Sequence, residues 1–112
     1  MPNCYFDVET ILTDGLIIGR NEYQDIPVGT VFTALRKSKL VGEMPNLQPF
    51  DLGELANVNL RLLEVQWYRR HLDFIPRGHT AGLRLSGDGI SLLAEALAER
   101  GERESVKLQC SL

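Results

Sequence analysis

The strongest strand signal in the chain is the segment NLRLLEVQWY, residues 59–68. Side chains alternate between the two faces of a strand, so this segment predicts one apolar face and one polar face. The apolar face is expected to hold Leu63, Val65 and Trp67. The polar face is expected to hold Glu64, Gln66 and Tyr68. The pattern therefore predicts a half-buried β-strand that places Trp67 in the core.

Other segments on both sides of this strand are also typical of β-structure. Each is short, rich in β-branched or aromatic residues and bounded by turn residues. These predicted strands are residues 5–12, 16–20, 31–35, 81–85 and 105–110. The dipeptide Asp14-Gly15 predicts a turn between the first two. Gly19 lies inside an apolar run, which predicts a β-bulge or a sharp bend there.

Two further segments depart from this pattern. In residues 90–100, the spacing of Ile90, Leu93, Ala94 and Leu97 is helical, and Gly101 predicts the end of the helix. Residues 40–57 contain several proline and asparagine turn signals, and we predict a long loop there. Residues 1–112 are thus expected to form a single, mostly β domain: a small closed β-barrel with one short helix near the C-terminus.

Charge and length limit the classes of function. The 112 residues carry 12 basic and 15 acidic side chains, a net charge of −3 with a pI of about 5.3. This balance argues against a dedicated nucleic-acid binder, because phosphates require a basic surface. Residues 1–35 hold one basic and five acidic residues (net −4), residues 36–84 eight and five (+3), and residues 85–112 three and five (−2). The middle third is therefore the expected site for any phosphate-bearing partner.

The compartment is expected to be the cytoplasm. No apolar run approaches the roughly 18–20 residues of a membrane span, and the first residues lack the pattern of a signal peptide. A membrane partner is therefore not expected. Cys4 and Cys110 are far apart in the sequence. A bridge between them is conceivable if the termini meet, but a reducing compartment favours free thiols.

No pattern for catalysis or metal binding emerges. His71 and His79 are eight residues apart with no cysteine nearby, which is too few ligands for a zinc site. The chain has no Gly-x-Ser-x-Gly nucleophile motif and no phosphate-binding P-loop. The sequence therefore predicts a protein that is not an enzyme, with no catalytic residue, no metal, no cofactor and no GTP.

Aromatic and basic residues alternate in the segment QWYRRH, residues 66–71. Tyr68, Arg69 and Arg70 are the exposed candidates for binding. Such a surface suits stacking and phosphate contacts with RNA. It equally suits a protein interface, where tryptophan, tyrosine and arginine supply most of the binding energy.

The order of these segments resembles the second domain of elongation factor Tu and related translational GTPases, which is a small β-barrel. The similar segments are residues 6–9, 15–20 with 26–31, 65–73, and 77–87. In that family the barrel contacts the 3′ end of aminoacyl-tRNA and ribosomal RNA, using a glutamate and an arginine three residues apart. Gln66 and Arg69 occupy those positions here. No counterpart of the GTPase domain is found, so the resemblance implies no GTP hydrolysis.

Two functions follow as hypotheses. The first is a protein-interaction or inhibitor module, by analogy with small acidic bacterial immunity proteins that neutralise basic toxins. Its acidic steering surface would consist of Asp7, Glu9, Asp14, Glu22 and Asp25. The alternative is an RNA- or tRNA-contacting module linked to translation. That module would use Tyr68 together with Arg69, Arg70, Arg77 and Arg84.

Overall fold

The structure, a computed structural model, describes residues 3–21 and 24–111. It is mostly β-structure with one short helix near the C-terminus. The strands are β1 (Asn3–Ile11), β2 (Ile17–Asn21), β3 (Ile26–Pro27), β4 (Val31–Val41), β5 (Gln48–Trp67), β6 (Arg70–Leu72), β7 (Phe74–Ile75), β8 (Thr80–Asp88) and β9 (Glu104–Ser111). The helix is α1 (Ile90–Ala98). In the described part of the chain no helix has the length and apolar character needed to cross a membrane.

Seven strands form one antiparallel sheet in the order β4-β9-β1-β2-β8-β5-β6. In addition β4, at one end of this order, pairs with β5. The short strands β3 and β7 form a separate two-stranded pair. Strand β5 is the longest, with 20 residues, and it has β4, β8 and β6 as neighbours along its length.

Strands β1 and β9 contribute core residues at alternate positions. Phe6 and Val8 of β1, and Val106 and Leu108 of β9, are fully buried. The side chains between them are partly exposed, because successive residues of a strand point to opposite faces. β1 and β9 therefore confirm the strands predicted for residues 5–12 and 105–110.

The two cysteines form a disulfide, and the expectation of free thiols was wrong. β1 and β9 are antiparallel neighbours, and Cys4 lies directly opposite Cys110 with 5.2 Å between the Cα atoms. Both side chains are fully buried. The sequence separation of 106 residues hid this pairing, since it says nothing about which strands become neighbours.

The long loop predicted for residues 40–57 is also absent. β4 continues to Val41 and β5 begins at Gln48, so the connecting turn covers only residues 42–47. Pro49 is one of the proline turn signals behind the loop prediction, but it pairs with Leu40 near the end of the hairpin. An edge strand tolerates a proline, because its missing N–H is not needed by a second neighbour.

For the strand predicted at residues 59–68, the placement of Leu63 on the buried face was wrong. The register between β5 and β8 shifts between Leu62 and Glu64, so Leu63 is the extra residue of a β-bulge. Leu62 is consequently fully buried, whereas the side chain of Leu63 is 49% exposed. Val65 points inward as expected. Trp67 is only partly buried, so its predicted core position was also wrong.

The irregularity predicted at Gly19 is found on the strand opposite it. The register of β1 with β2 shifts between Val8 and Thr10, next to the pair Val8 and Gly19. A Cβ atom on Gly19 would clash with the Asp7 carbonyl oxygen and with the ring of Phe6. The absence of a side chain therefore lets the two strands approach each other at the bulge.

The helix was predicted two residues too long. α1 ends at Ala98, and Glu99 is its C-terminal cap residue. Leu93 is fully buried, and Ile90 and Leu97 pack against the core. Ala94, predicted on the same stripe, is exposed instead. Ala96 packs against the core as well, so the buried face of this helix is rotated relative to its sequence pattern.

Candidate functional site

The hairpin between β5 and β6 turns in two residues, and neither is glycine. Trp67 pairs with Arg70, which leaves Tyr68 and Arg69 as the loop. Both have a left-handed backbone, with φ of 47° and 65°. A two-residue hairpin loop with positive φ at both positions favours Asn-Gly, because a Cβ atom strains this backbone and only glycine, or asparagine through local hydrogen bonds, adopts it readily. Retaining a tyrosine and an arginine here therefore costs about 1–2 kcal/mol per residue.

Three rings cluster at this loop. The Trp67 ring centroid lies 4.8 Å from that of Tyr68 and 5.3 Å from that of His79, and both contacts are edge-to-face. Tyr68 is 82% exposed, so its ring is held by one neighbour and open to a partner on its other sides. The sequence did not reveal the role of His79, which reaches this cluster from the turn before β8.

A groove of about 250 Å³ borders the loop. One wall consists of Gln66, Trp67 and Tyr68, and the other of Ile18 together with residues 80–82 of β8. A Cβ atom on Gly82 would lie 2.9 Å from a Leu16 methyl carbon, so the small residue lets the side chains of Leu16 and Ile18 lie across β8. The fold thus brings the predicted residues Gln66 and Tyr68 to one concave surface.

The remaining predicted basic residues divide into two groups. Arg69 and Arg70 are exposed on the hairpin itself. Arg77 is exposed in the turn that also carries His79, and its backbone N–H donates to Asp25 Oδ1 at 2.9 Å. Arg84 is engaged elsewhere: its Nη2 lies 2.9 Å from Asp14 Oδ2, and its Nη1 donates to the Asp14 carbonyl oxygen at 2.8 Å.

The predicted acidic surface is distributed over several elements. Asp7 lies on β1 between Arg20 and Lys107 of the neighbouring strands, and Glu9 is exposed near the end of β1. Asp14 binds Arg84 and Asp25 accepts from the backbone of Arg77, as described above. Glu22 lies outside the described residues. Asp7, Asp14 and Asp25 therefore have basic groups or donors close by.

Asp14 of the predicted acidic surface pairs with Arg84 of the predicted basic set, and this pairing changes the pKa of the Asp14 carboxyl. The backbone N–H of Leu16 donates to Asp14 Oδ1 at 3.1 Å, and Arg84 donates to the other carboxylate oxygen. The Leu16 bond, followed by the Arg84 bond, lowers the pKa of the Asp14 carboxyl below its usual 3.8. A lowered pKa means that the charged form is stabilised by folding.

We expect Asp14→Asn to destabilise the protein near neutral pH and to lose this effect in acid. Asparagine still accepts the Leu16 N–H but lacks the charge. Because the folded pKa is lowered, the charge contributes stability above about pH 4, and the contribution disappears as pH falls through the folded pKa. The measurement is urea unfolding of both proteins at pH 7 and pH 2.5. A difference of equal size at both pH values would contradict this assignment, and Arg84→Gln provides the matched removal of the partner.

Residues 3–21 and 24–111 contain no group of three or more histidine, cysteine, aspartate or glutamate side chains placed to hold one ion. His71 lies on β6 and His79 packs on Trp67.

Comparisons of the chain with protein-family models, curated proteins and solved structures find no match. The resemblance to the second domain of elongation factor Tu therefore stays a prediction from the sequence.

Proposed function

We propose that the chain is a non-catalytic binding module that recognises a protein partner through the β5–β6 hairpin. The observation that carries this proposal is the left-handed backbone of Tyr68 and Arg69. Strained loop residues persist when the surrounding structure enforces them, and they concentrate at functional sites. Here an exposed tyrosine and an arginine occupy the tip of a hairpin in spite of the strain, although asparagine and glycine would be more stable there.

The composition of this surface favours a protein over a nucleic acid. Tyrosine, tryptophan and arginine are the residues most enriched at the energetic centres of protein interfaces. The net charge of −3 disfavours nonspecific attraction to phosphates. A basic protein partner, inhibited or sequestered in the manner of an immunity protein, suits the net charge, and the exposed arginines of the hairpin would require an acidic or aromatic contact on that partner.

The strand pairings support the proposed fold family. They link β1, β2, β8, β5, β4 and β9 and return to β1. A ring of this kind is what a small closed β-barrel of the elongation factor Tu domain-2 type requires. In that family, the strand corresponding to residues 65–73 contacts the end of aminoacyl-tRNA. Here it would have been reused, and the proposal involves no GTP, no cofactor and no catalytic step.

The alternative function, contact with RNA in translation, keeps one favourable observation. Arg69, Arg70 and Arg77 are exposed around the Trp67–Tyr68 rings, as a stacking and phosphate-binding surface requires. Binding of single-stranded RNA would weaken with salt, with a log–log slope of roughly −0.7 per phosphate contact.

The compartment is part of the proposal as well. The sequence predicts the cytoplasm, whereas the buried Cys4–Cys110 disulfide favours an oxidising compartment. Acid quenching of intact cells, followed by alkylation in denaturant and mass spectrometry of the protein, would decide between them, because both sulfur atoms are buried in the folded chain. Alkylated cysteines would support the cytoplasm and a preserved bridge would support an oxidising compartment.

The double variant Tyr68→Asn with Arg69→Gly tests the proposed function. It should raise the free energy of unfolding by about 1–2 kcal/mol, because the left-handed loop loses its strain. It should also lose the partner, since removing one central interface side chain costs about 2 kcal/mol or more, roughly thirtyfold in affinity. Thermal unfolding measures the first effect. Retention of proteins from the native cell extract on immobilised wild-type and variant chains, with and without nuclease, measures the second.

Arg103→Gly is the matched control. Arg103 is the other non-glycine residue with positive φ (63°) in the described chain, and it lies far from the hairpin in the turn before β9. This variant should leave partner retention unchanged. The proposal fails if the double variant retains the same proteins as the wild type. Retained material that nuclease removes would shift the function to RNA.

A further inference from the structure

One edge of β5 is open over its first half. Residues 48–57 pair with β4, and among the described residues they pair with no other strand. Pairing with β8 begins only at Asn59. Alternate N–H and C=O groups along this edge therefore face outward, as on any strand with a single neighbour. We call residues 39–57, the two strand ends and their turn, the arm.

The arm carries much of the exposed apolar surface. Of the twelve large hydrophobic side chains that are exposed in the described chain, six lie in the arm. Phe50, Leu52 and Leu55 of β5 are 56%, 45% and 47% exposed. Leu55 also lines a groove of about 190 Å³ with Leu92 of α1. Concentrated apolar surface of this kind marks an interaction site.

The edge is also poorly protected. Proteins usually block open edges with lysines, inward-pointing charges, bulges or a covering element. The blocking features of the open segment are Pro49, at one end, and two shifts of register with β4, which leave Leu52 and Leu55 without a partner on that strand. The segment 48–57 contains no lysine or arginine. Its open edge is therefore available for pairing.

The charges along the arm indicate which charge a strand bound at the open edge would carry. The charged residues of segment 48–57 are Asp51 and Glu54, whereas β4 opposite supplies Arg36, Lys37 and Lys39. Within the sheet, Arg36 lies 2.5 Å from Asp51 and faces Glu54 in the register. The strand that β5 already accepts thus carries basic residues among apolar ones. A second β5 would bring only acidic charges to this edge, so it would offer no opposite charge to Asp51 and Glu54 across the strands.

We propose that the open edge of β5 binds an extended segment of a partner protein, one with lysine or arginine between apolar residues, as an added β-strand. Main-chain hydrogen bonds would supply affinity, and Phe50, Leu52 and Leu55 would contact the apolar side chains. Asp51, whose side chain is 60% exposed, and Glu54 would face the basic ones. This site is distinct from the Tyr68 hairpin, which lies at the opposite end of the same strand.

The probe is a fluorescein-labelled peptide with the sequence ALRKSKLV, copied from residues 34–41 of β4. Fluorescence anisotropy should give saturable binding to the wild-type chain. The matched peptide ALEESELV, with each basic residue replaced by glutamate, should not bind. Hydrogen exchange of the complex should show new amide protection in residues 48–57 and unchanged protection in β4.

Variants separate this edge from the rest of the surface. Leu52→Lys and Glu54→Lys should each weaken peptide binding at least tenfold, because lysine blocks or repels a basic strand. Leu63→Lys is the matched control, since Leu63 has similar exposure but lies outside the open segment. The hairpin variant with Tyr68→Asn and Arg69→Gly should bind the peptide like the wild type, so either proposal can fail alone. Circular dichroism verifies the fold of each variant.

Three results would overturn the proposal. The first is the absence of saturable binding, or equal binding by the wild type and both edge variants. The second is loss of amide protection in β4, which would mean that the peptide replaces β4 rather than adding to β5. The third is a concentration-dependent dimer in sedimentation equilibrium that Leu52→Lys abolishes, which would assign the edge to a second copy of this chain.

Discussion

Reduction of the Cys4–Cys110 disulfide is expected to lower the free energy of unfolding by about 4 kcal/mol. The bridge joins residues 106 positions apart. Crosslinking so long a segment removes much of the conformational entropy of the unfolded chain, about 4.7 kcal/mol for a loop of 100 residues in the chain-entropy model. The folded state keeps the pairing of β1 with β9 in both forms, so the fold should survive reduction while its stability falls.

Urea unfolding with and without reductant measures this effect. Because both sulfur atoms are buried, reduction should be carried out in denaturant before refolding. The variant with Cys4→Ala and Cys110→Ala should unfold near the midpoint of the reduced protein and should ignore reductant. An identical unfolding curve before and after reduction of the wild type would contradict the expectation.

Leu62→Ala is expected to cost about 3 kcal/mol, whereas Leu63→Ala should cost less than about 1 kcal/mol. Leu62 is fully buried in the core, so its truncation removes apolar burial and leaves a cavity. Leu63 is the extra residue of the bulge and is 49% exposed. The two adjacent leucines thus form a pair of the same residue type that differs in burial and in position relative to the bulge.

Denaturant midpoints of the two variants provide the test, with the slope m checked for a change in the unfolded state. Simple strand alternation from the sequence assigns the buried position to Leu63 and reverses the order. Equal losses, or a larger loss at Leu63, would therefore favour the regular strand over the bulge.

The sequence predicted the strands around Phe6 and Leu108 because each is rich in β-forming residues and alternates, imperfectly in residues 5–12, between apolar and polar side chains. It also predicted the helix, whose period of 3.6 residues is distinct from that of a strand. It failed at Leu63, because a bulge inverts the alternation locally and leaves no mark in a single sequence. It failed at residues 40–57 because Pro49 signals a break wherever it occurs, although an edge strand accommodates it.

The candidate site could be predicted in composition but not in geometry. Tyr68, Arg69 and Arg70 stand out as aromatic and basic residues at the end of a strand. Their left-handed loop could not be predicted, since the sequence lacks the Asn-Gly pair that normally signals such a turn. The ion pair of Arg84 with Asp14 was equally hidden, because it joins residues 70 positions apart.

The pairing of Asn3 with Ser111 has a practical consequence for protein engineering. These residues face each other on β1 and β9, so the first and last described strands run side by side. A short linker could join them, and a new start could be opened in the turn at residues 42–47 without cutting the core. The domain should thus accept circular permutation, or insertion into a surface loop of a carrier protein, with little separation of the host's flanking residues.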